Sequence, residues 1–467
     1  MKSIACVAVV LGVLVLSPMT FAQSTGGVGT NSPTAQANTT ARVFGPLRYS
    51  RATAAAFAAQ HAAGNPSSQN TPIISPSASA NLPFQIFTNS FLTEGSGGSK
   101  YLPLWTYDVV SPRDGNHHQG TIVGHDPFKN PGTDKIPTFI VPLVIRTHSV
   151  ATSIDPSTGF VTLAPGDATS DPTQPDSVCL SAPNDVPVKL TEESPAFVPT
   201  SFSMGGINVG TTQYLDAFQR GNFWNVLGAK RNQYHILLSP VRSLEPIVID
   251  VPSNEGYALM DPLFFGPPPI CTPTIFIDIN WFDSYIVGTV LPEVEKLGVD
   301  AGSLPIFLTY NAVWMQYEPI TNLSLPSAGG WHGNTGTPMG AQTYIVAEFD
   351  TSNAFVGPFP DNTETLTHEL GEWLNDPYSL GGIVIGNGTP PWGPSGQVTG
   401  CQANMEIADP LTNTLLPPLT MPNGYSYLLQ ELTFFSWFYG GPPTGVNGWY
   451  SNNGTFLTDA GPVCSAY

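Results

Sequence analysis

The order of apolar segments in the C-terminal half of the chain constrains the fold more than any other feature. Three segments, 274–279, 304–310 and 343–349, are short and rich in β-branched or aromatic residues, which is typical of buried strands. Between the first two, residues 284–297 have apolar side chains at helical spacing, and we expect a kink at Pro292. A second helix follows the third strand. We therefore predict the order strand, helix, strand, strand, helix.

The second helix carries the sequence THELGEWLNDP at residues 367–377. His368 and Glu372 are four residues apart, so they share one helix face and can bind one cation together. Glu369 lies beside them and can accept a proton from a metal-bound water. Asp376 is on the same face but about 12 Å from His368 along the axis, too far to bind the same ion. The helix thus predicts two metal ligands, and a third must come from elsewhere.

The third ligand is predicted in the sequence NMEIADP at residues 404–410. Here the chain resembles the thermolysin-like gluzincins, whose HExxH helix is followed by an Asn-Glu-containing helix that supplies the third zinc ligand. The resemblance implies that Glu406 is the third ligand and that Asp409 orients His368. The chain departs from that pattern because Glu372 stands in place of the second histidine. Asp409 is also three rather than four residues after Glu406. The order of elements is similar to that of zincin catalytic lobes.

A second resemblance extends from about residue 332 to residue 464. The HELGE core followed by Asp-Pro, the EIAD sequence and the aromatic tail with a cysteine are similar to the EXORDIUM-like (phosphate-induced) secreted family and to related bacterial secreted proteins. Members of that family share an HELxE core and a downstream EIAD. The resemblance implies a secreted or wall-associated protein with the same site, and it does not specify a substrate.

The ligand set predicts both the cofactor and the reaction. Two carboxylates and one imidazole suit a divalent metal, for which we expect Zn²⁺. We predict a metal-dependent hydrolase, a peptidase, with Glu369 as the general base. His332 is a further candidate catalytic residue, because it precedes the strand predicted at 343–349 and can stabilise an oxyanion. That strand is predicted to align an extracellular peptide or protein substrate by main-chain hydrogen bonds.

Two other functions remain open. Glu369 and Glu372 can form the acid and base pair of a glycosidase, but adjacent turns of one helix place them on one side of a sugar, not on opposite sides. The other alternative is a non-catalytic extracellular or cell-surface protein, in which a structural metal site helps to bind a partner or a glycan. Nine Trp and sixteen Tyr suit stacking on sugars and suit a β-sheet core equally well.

The N-terminus predicts export. Residues 1–22 have a positive start at Lys2, an apolar run at 4–16 and a small-residue cleavage site at Ala22, as a secretory signal peptide does. The run is shorter than the roughly 20 residues that span a bilayer. We therefore predict an extracellular or periplasmic protein without stable membrane insertion.

Cysteine usage agrees with export. Four cysteines follow the signal, an even number in an oxidising compartment, so we expect two disulfides. Of the three possible pairings we favour Cys179 with Cys271 and Cys401 with Cys464.

Charge and composition limit the possible partners and the fold class. The net charge is −19 with only 15 Lys and Arg, which argues against nucleic acid and anionic membranes as partners. Only 10% of residues are charged, and 46 Gly with 47 Pro favour a β-rich, loop-rich chain. We predict an α+β protein with a signal peptide at 1–22 and a disordered leader or linker at 23–82. A β-rich domain or subdomain is expected at 83–270 and a zincin-like metal-site domain at 271–467, with a mixed sheet and an active-site helix.

Overall fold

The computed structural model describes residues 43–44, 85–89 and 101–460, except for 130–131, 156–159, 177–178, 181–184, 265–268, 319–322, 336–340, 353–361, 379–387 and 391–403. The predicted signal peptide, nearly all of the predicted leader and the Cys401–Cys464 pair lie outside these residues. Cys179 and Cys271 form a disulfide, which confirms that predicted pair. Within the described ranges, no helix has the length and apolar character needed to cross a membrane.

The described residues form both helices and strands, with strands predominating, and this confirms the β-rich mixed-sheet prediction in its broad form. The strands are β1 Val43–Phe44, β2 Gln85–Asn89, β3 Leu104–Val110, β4 His117–Val123, β5 Thr133–Ile154, β6 Val161–Ser170, β7 Thr200–Met204, β8 Ile207–Thr212, β9 His235–Ser243, β10 Ile247–Val251, β11 Gly256–Leu259, β12 Thr274–Asp278, β13 Leu304–Tyr310, β14 Ala312–Glu318, β15 Leu323–Ala328, β16 Gly330–Asn334, β17 Thr343–Phe349, β18 Leu419–Thr420 and β19 Ser426–Tyr427. The α-helices are α1 Pro187–Glu192, α2 Tyr214–Asn222, α3 Trp224–Leu227, α4 Ile279–Tyr285, α5 Leu291–Glu295, α6 Glu364–Asn375 and α7 Phe435–Tyr439.

Twelve of these strands form one nearly closed mixed sheet. Its order is β1-β15-β14-β12-β11-β5-β13-β17-β16, and β6, β9 and β10 also pair with β5. Strand β5 is 22 residues long and pairs along its length with five different strands, four parallel and one antiparallel. Because β5 pairs directly with β13, the sheet crosses the domain boundary predicted at residue 270. That boundary therefore does not separate two sheets.

The side chains of the central strands alternate between two cores. In β13, Ile306 packs in the core that contains α2 and α6, whereas Phe307 packs in the core that contains α4 and α5. In β17, Ile345 and Val346 divide in the same way. Helices thus cover both faces of this part of the sheet, which explains why β13 and β17 are continuous apolar runs without polar alternation.

The kinked helix predicted at 284–297 is two short helices. Helices α4 and α5 are joined by a π-helical turn at Ile286–Val290, and Pro292 lies in the first turn of α5. Proline lacks an N–H and its ring clashes with the preceding turn, so a local change of helical geometry just before it is expected.

Strand β17, predicted to align a substrate, is an interior strand. It pairs with β13 on one side and with β16 on the other, so its main-chain groups already bond within the sheet. The predicted substrate role of β17 is therefore wrong, and β16 is the strand at the end of the sheet order.

Candidate metal centre

Imidazole and carboxylate groups from three separate parts of the chain converge beside helix α6. His368, Glu369 and Glu372 lie on α6, His332 lies on β16, and Glu406 lies in the segment before a 3₁₀ turn at Asp409–Leu411. Two sets of described residues have ligand atoms that all lie within 4.8 Å of one another. One set is His332, Glu372 and Glu406, and the other is His368, Glu369 and Glu372. Glu372 belongs to both sets and links them.

The predicted ligands His368, Glu372 and Glu406 do not occur together in either set, and each set shares only Glu372 with the other. Glu372 Oε2 lies 3.3 Å from His368 Nε2 and 3.9 Å from His332 Nε2. His332 Nε2 lies 3.0 Å from Glu406 Oε2. Two ligand atoms bound tetrahedrally at about 2.1 Å from a metal are separated by about 3.4 Å. The contacts around Glu372 therefore already have the dimensions of a metal site.

Packing of α6 on the sheet directs the ligand residues to one side. Leu366, Leu370, Trp373 and Leu374 are buried in the core against the sheet. The indole N–H of Trp373 donates a 2.9 Å hydrogen bond to Thr343 Oγ1 at the start of β17. The helix begins at Glu364 after Thr363. The apolar stripe and this hydrogen bond fix the rotation of α6, and hence the direction of His368.

Helix α6 approaches β16 closely because of a glycine. A Cβ atom added to Gly330 would lie 2.6 Å from the carbonyl oxygen of Val346 and 2.8 Å from Cγ2 of Thr365 on α6. It would also lie 3.1 Å from Cγ of Glu369. The absence of a side chain at this position thus lets α6 rest on the strand that carries His332.

The segment 404–411 holds one carboxylate oxygen of Glu372 by hydrogen bonds. The backbone N–H groups of Ala408 and Asp409 both donate to Glu372 Oε1 at 3.3 Å. The second oxygen, Oε2, is left facing the two histidines. The side-chain amide of Asn404 donates to Glu406. Unlike the Asn-Glu helix of the gluzincins, residues 404–408 are not helical here. The ligand segment is held instead by its hydrogen bonds to α6.

The contacts of His368 distinguish its two ring nitrogens. Nε2 faces Glu372 and lies 3.6 Å from Asp409 Oδ1. Nδ1 forms a 2.8 Å hydrogen bond with Gln430 Oε1. The residue that holds the outer nitrogen is therefore Gln430, while Asp409, predicted for that role, lies on the same side of the ring as Glu372. Gln430 is 62 residues from His368 in sequence, and no local pattern indicated it.

The two histidines differ at Nδ1. His332 Nδ1 is buried and has no hydrogen-bond partner among the described residues. Metal-binding histidines almost always donate their second ring N–H to a fixed acceptor. His368 meets this requirement through Gln430, so it suits the role of ligand better than His332 does. His332 instead contacts Glu406 and Glu372 through Nε2 alone.

Burial and mutual attraction shift the pKa values of the whole cluster. Burial raises the pKa of Glu369 to about 7 and raises the pKa of Glu372 well above its usual range. Burial opposes protonation of His332, but the carboxylate of Glu406 outweighs it and raises the pKa of His332 to about 10. The pKa of His368 is raised in the same way against the effect of burial, mainly by Glu372. The pKa of Glu406 is lowered, mainly by His332 against the effect of burial, so the protonated histidines stabilise this carboxylate in its ionised form.

No family model, curated protein or solved structure matches this chain.

Proposed function

We propose that the protein is an exported metal-dependent hydrolase that cleaves peptides, with His368, Glu372 and Glu406 as the ligands of a divalent cation. The observation that carries this proposal is the convergence on Glu372 of groups from α6, β16 and the segment 404–411. One imidazole and two carboxylates form a donor set suited to Zn²⁺. When bound, such a metal polarises a water molecule and lowers its pKa.

Glu369 is proposed as the general base. Its carboxylate lies within 4.8 Å of the ligand atoms of His368 and Glu372, so it adjoins the metal position. Burial raises the pKa of Glu369 to about 7, which is close to the value at which a base both exists in the ionised form and accepts a proton readily. The Glu369 carboxylate can therefore accept a proton from a metal-bound water.

His332 is proposed to hold Glu406 and to supply positive charge beside the reacting carbonyl. Its Nε2–H donates to Glu406 Oε2 at 3.0 Å. The same ring is fixed on β16, so it cannot move independently of the sheet. Charge fixed in this way can stabilise an oxyanion without reorganisation.

The proposed substrate is an extended peptide that pairs with β16. Among the described strands, β16 has a partner, β17, on one side only. Addition of a strand to an open sheet edge is a common way of binding peptides. The carbonyl of a peptide bound there would lie near His332, since this residue is on the same strand.

One observation favours a second candidate function, a structural metal site. The side chains of His332, Glu372 and Glu406 are only 4%, 5% and 9% exposed. If His332 also binds the metal, the four protein ligands fill a tetrahedral site and leave no position for water, as in structural zinc sites. Such a protein would bind a partner or a glycan without hydrolysing it.

Metal content of the purified protein tests the site. We expect about one equivalent of a divalent metal in the wild type and little in His368→Ala. His117→Ala is the control, because His117 is exposed and pairs with Asp108 away from the site. Equal metal content in all three proteins would remove the proposed site.

A Glu369→Gln variant separates the two functions. The variant should retain the metal in both cases, since the amide is nearly the same size as the carboxylate. A hydrolase should lose about 10²–10⁴-fold in the rate of peptide cleavage. If the wild type cleaves peptides and this variant cleaves them equally well, Glu369 is not the base. If the metal-loaded wild type cleaves no peptide, the structural site is the function.

A further inference from the structure

We infer that Gln430 is the positioning residue of the metal site: its side-chain amide fixes the tautomer of His368 and joins this ligand to the segment that holds Glu372. The inference rests on the proposed metal site and goes beyond it, because it assigns which nitrogen of His368 binds and what presents it.

The orientation of the Gln430 amide follows from its two partners. One end of the amide lies 2.6 Å from the backbone oxygen of Ala408, which has no proton to donate. The NH₂ group must therefore face Ala408, and Oε1 must face His368. An amide oxygen only accepts hydrogen bonds, so His368 Nδ1 must carry a proton. The hydrogen bonds of Gln430 thus identify Nδ1 as a protonated nitrogen of His368, which the shape of the imidazole ring alone does not show.

This tautomer places the lone pair of His368 at the site. In the neutral ring, a proton on Nδ1 leaves Nε2 unprotonated. Nε2 is the nitrogen that faces Glu372 Oε2 at 3.3 Å and Asp409 Oδ1 at 3.6 Å. When the ring is neutral, Nε2 is therefore the nitrogen that can bind a cation, while Nδ1 remains the hydrogen-bond donor to Gln430.

Gln430 is itself held firmly. Its side chain and backbone are fully buried. Its backbone N–H donates to Thr367 Oγ1 at 3.1 Å, next to His368 on α6, and the hydroxyl of Tyr214 donates to its backbone oxygen. An acceptor held by this many contacts cannot rotate away from Nδ1, which is the condition for orienting a ligand.

The same amide connects two of the groups that form the site. Ala408, whose carbonyl accepts from Gln430, donates its own N–H to Glu372 Oε1. Loss of the amide would therefore free His368 and loosen the segment that positions Glu372. No equivalent acceptor contacts Nδ1 of His332 within the described part of the chain.

Zinc affinity, measured by competition with a chromophoric chelator, tests the inference. Gln430→Met keeps the side-chain length but removes both hydrogen bonds, and we expect affinity to fall by about 10–100-fold. Gln213→Met is the matched control. Gln213 is also buried and donates to two backbone oxygens, those of Phe197 and Leu238, away from the site. Gln430→Glu keeps an acceptor for Nδ1–H and should lose less affinity than Gln430→Met. Equal affinity in wild type and Gln430→Met would overturn the inference.

A tautomer measurement on metal-free protein keeps this inference separate from the proposed function. Nitrogen-15 spectra of the histidine rings, with His368 identified from the His368→Ala variant, report which nitrogen carries the proton in the neutral ring. We expect Nδ1 in the wild type and a mixture of both tautomers in Gln430→Met. A neutral His368 protonated at Nε2 in the wild type would contradict the role of Gln430. Absence of zinc binding with the expected tautomer would contradict only the proposed function.

Discussion

His235, at the start of β9, forms an ion pair with a fully buried aspartate of α2. Its Nδ1 lies 2.9 Å from Asp216 Oδ2. Asp216 also accepts 2.7 Å hydrogen bonds from Thr212 Oγ1 and from the backbone N–H of Ile236. The hydrogen bond to Asp216 raises the pKa of His235, although burial and the nearby Arg220 oppose the shift. The folded state therefore favours the protonated ring more than the unfolded state does.

This pair predicts a pH dependence of stability. A raised pKa in the folded state stabilises it fully below the unfolded pKa of about 6.5, and the contribution is lost as pH rises through the higher folded pKa. His235→Gln should therefore be less stable than wild type by about 1 kcal/mol at low pH, with the difference shrinking at alkaline pH. Urea unfolding of both proteins across this range measures it. A constant difference at every pH would show that the ring charge is not involved.

At the residue scale, local geometry determines the part of the site that lies on α6. His368, Glu369 and Glu372 are adjacent on one helix, and the helical period alone places them on neighbouring positions. Gln430 and His332 reach the same place only through the fold, the first in a β-bridge with Leu415 after β19 and the second on β16. Neither has a spacing relation to α6, so their contacts were not predictable from periodicity.

The close contact of helix α6 with strand β16 is the element-scale feature on which the site depends. We predict that Gly330→Ala is destabilising by about 1–3 kcal/mol, because its Cβ would meet the backbone oxygen of Val346, which cannot move away as a side chain can. The variant should also displace α6 from β16, and so separate Glu369 from His332. Urea unfolding gives the first effect, and zinc affinity gives the second.

Gly288→Ala is the matched control for this substitution. Gly288 lies in the π-helical turn between α4 and α5, and a Cβ there would meet no atom within 4 Å. Because alanine loses less backbone entropy on folding, this variant should be neutral or more stable by about 0.4–1 kcal/mol. Equal stability of the two alanine variants would mean that α6 tolerates a side chain on β16.

Elements with dense, uninterrupted apolar runs have the predicted bounds. Strands β13 and β17 coincide with the sequence predictions, since their side chains are apolar with few polar interruptions. In β5, only residues 139–145 form an apolar run within the 22-residue strand. The remainder contains proline and polar residues, and it stays extended because several distant strands pair with it. Such nonlocal pairing leaves no trace in a local pattern.

At the scale of the whole molecule, strand β5 pairs with strands from both sides of the domain boundary predicted at residue 270. It pairs with β9 and β10 from the predicted 83–270 portion and with β13 from the predicted 271–467 portion. Helix α2 and helix α6, on opposite sides of residue 270 in sequence, then share one core. The proposed metal site adjoins α6 in this shared core, so its geometry depends on the packing of both portions.

A bound cation should therefore stabilise the whole fold, because it links α6 to the segment 404–411 in the native state only, and His332 on β16 in turn contacts Glu406. At a free metal concentration of about 100 times the dissociation constant, the gain in the free energy of unfolding is about 2.7 kcal/mol. We predict that a chelator lowers the melting temperature of the wild type and that added zinc restores it. His368→Ala should melt at a temperature that neither treatment changes, since the site has lost a ligand. A wild-type melting temperature insensitive to both chelator and zinc would mean that the buried carboxylates and histidines are stable without a cation, and that their contacts around Glu372 are an internal hydrogen-bond network.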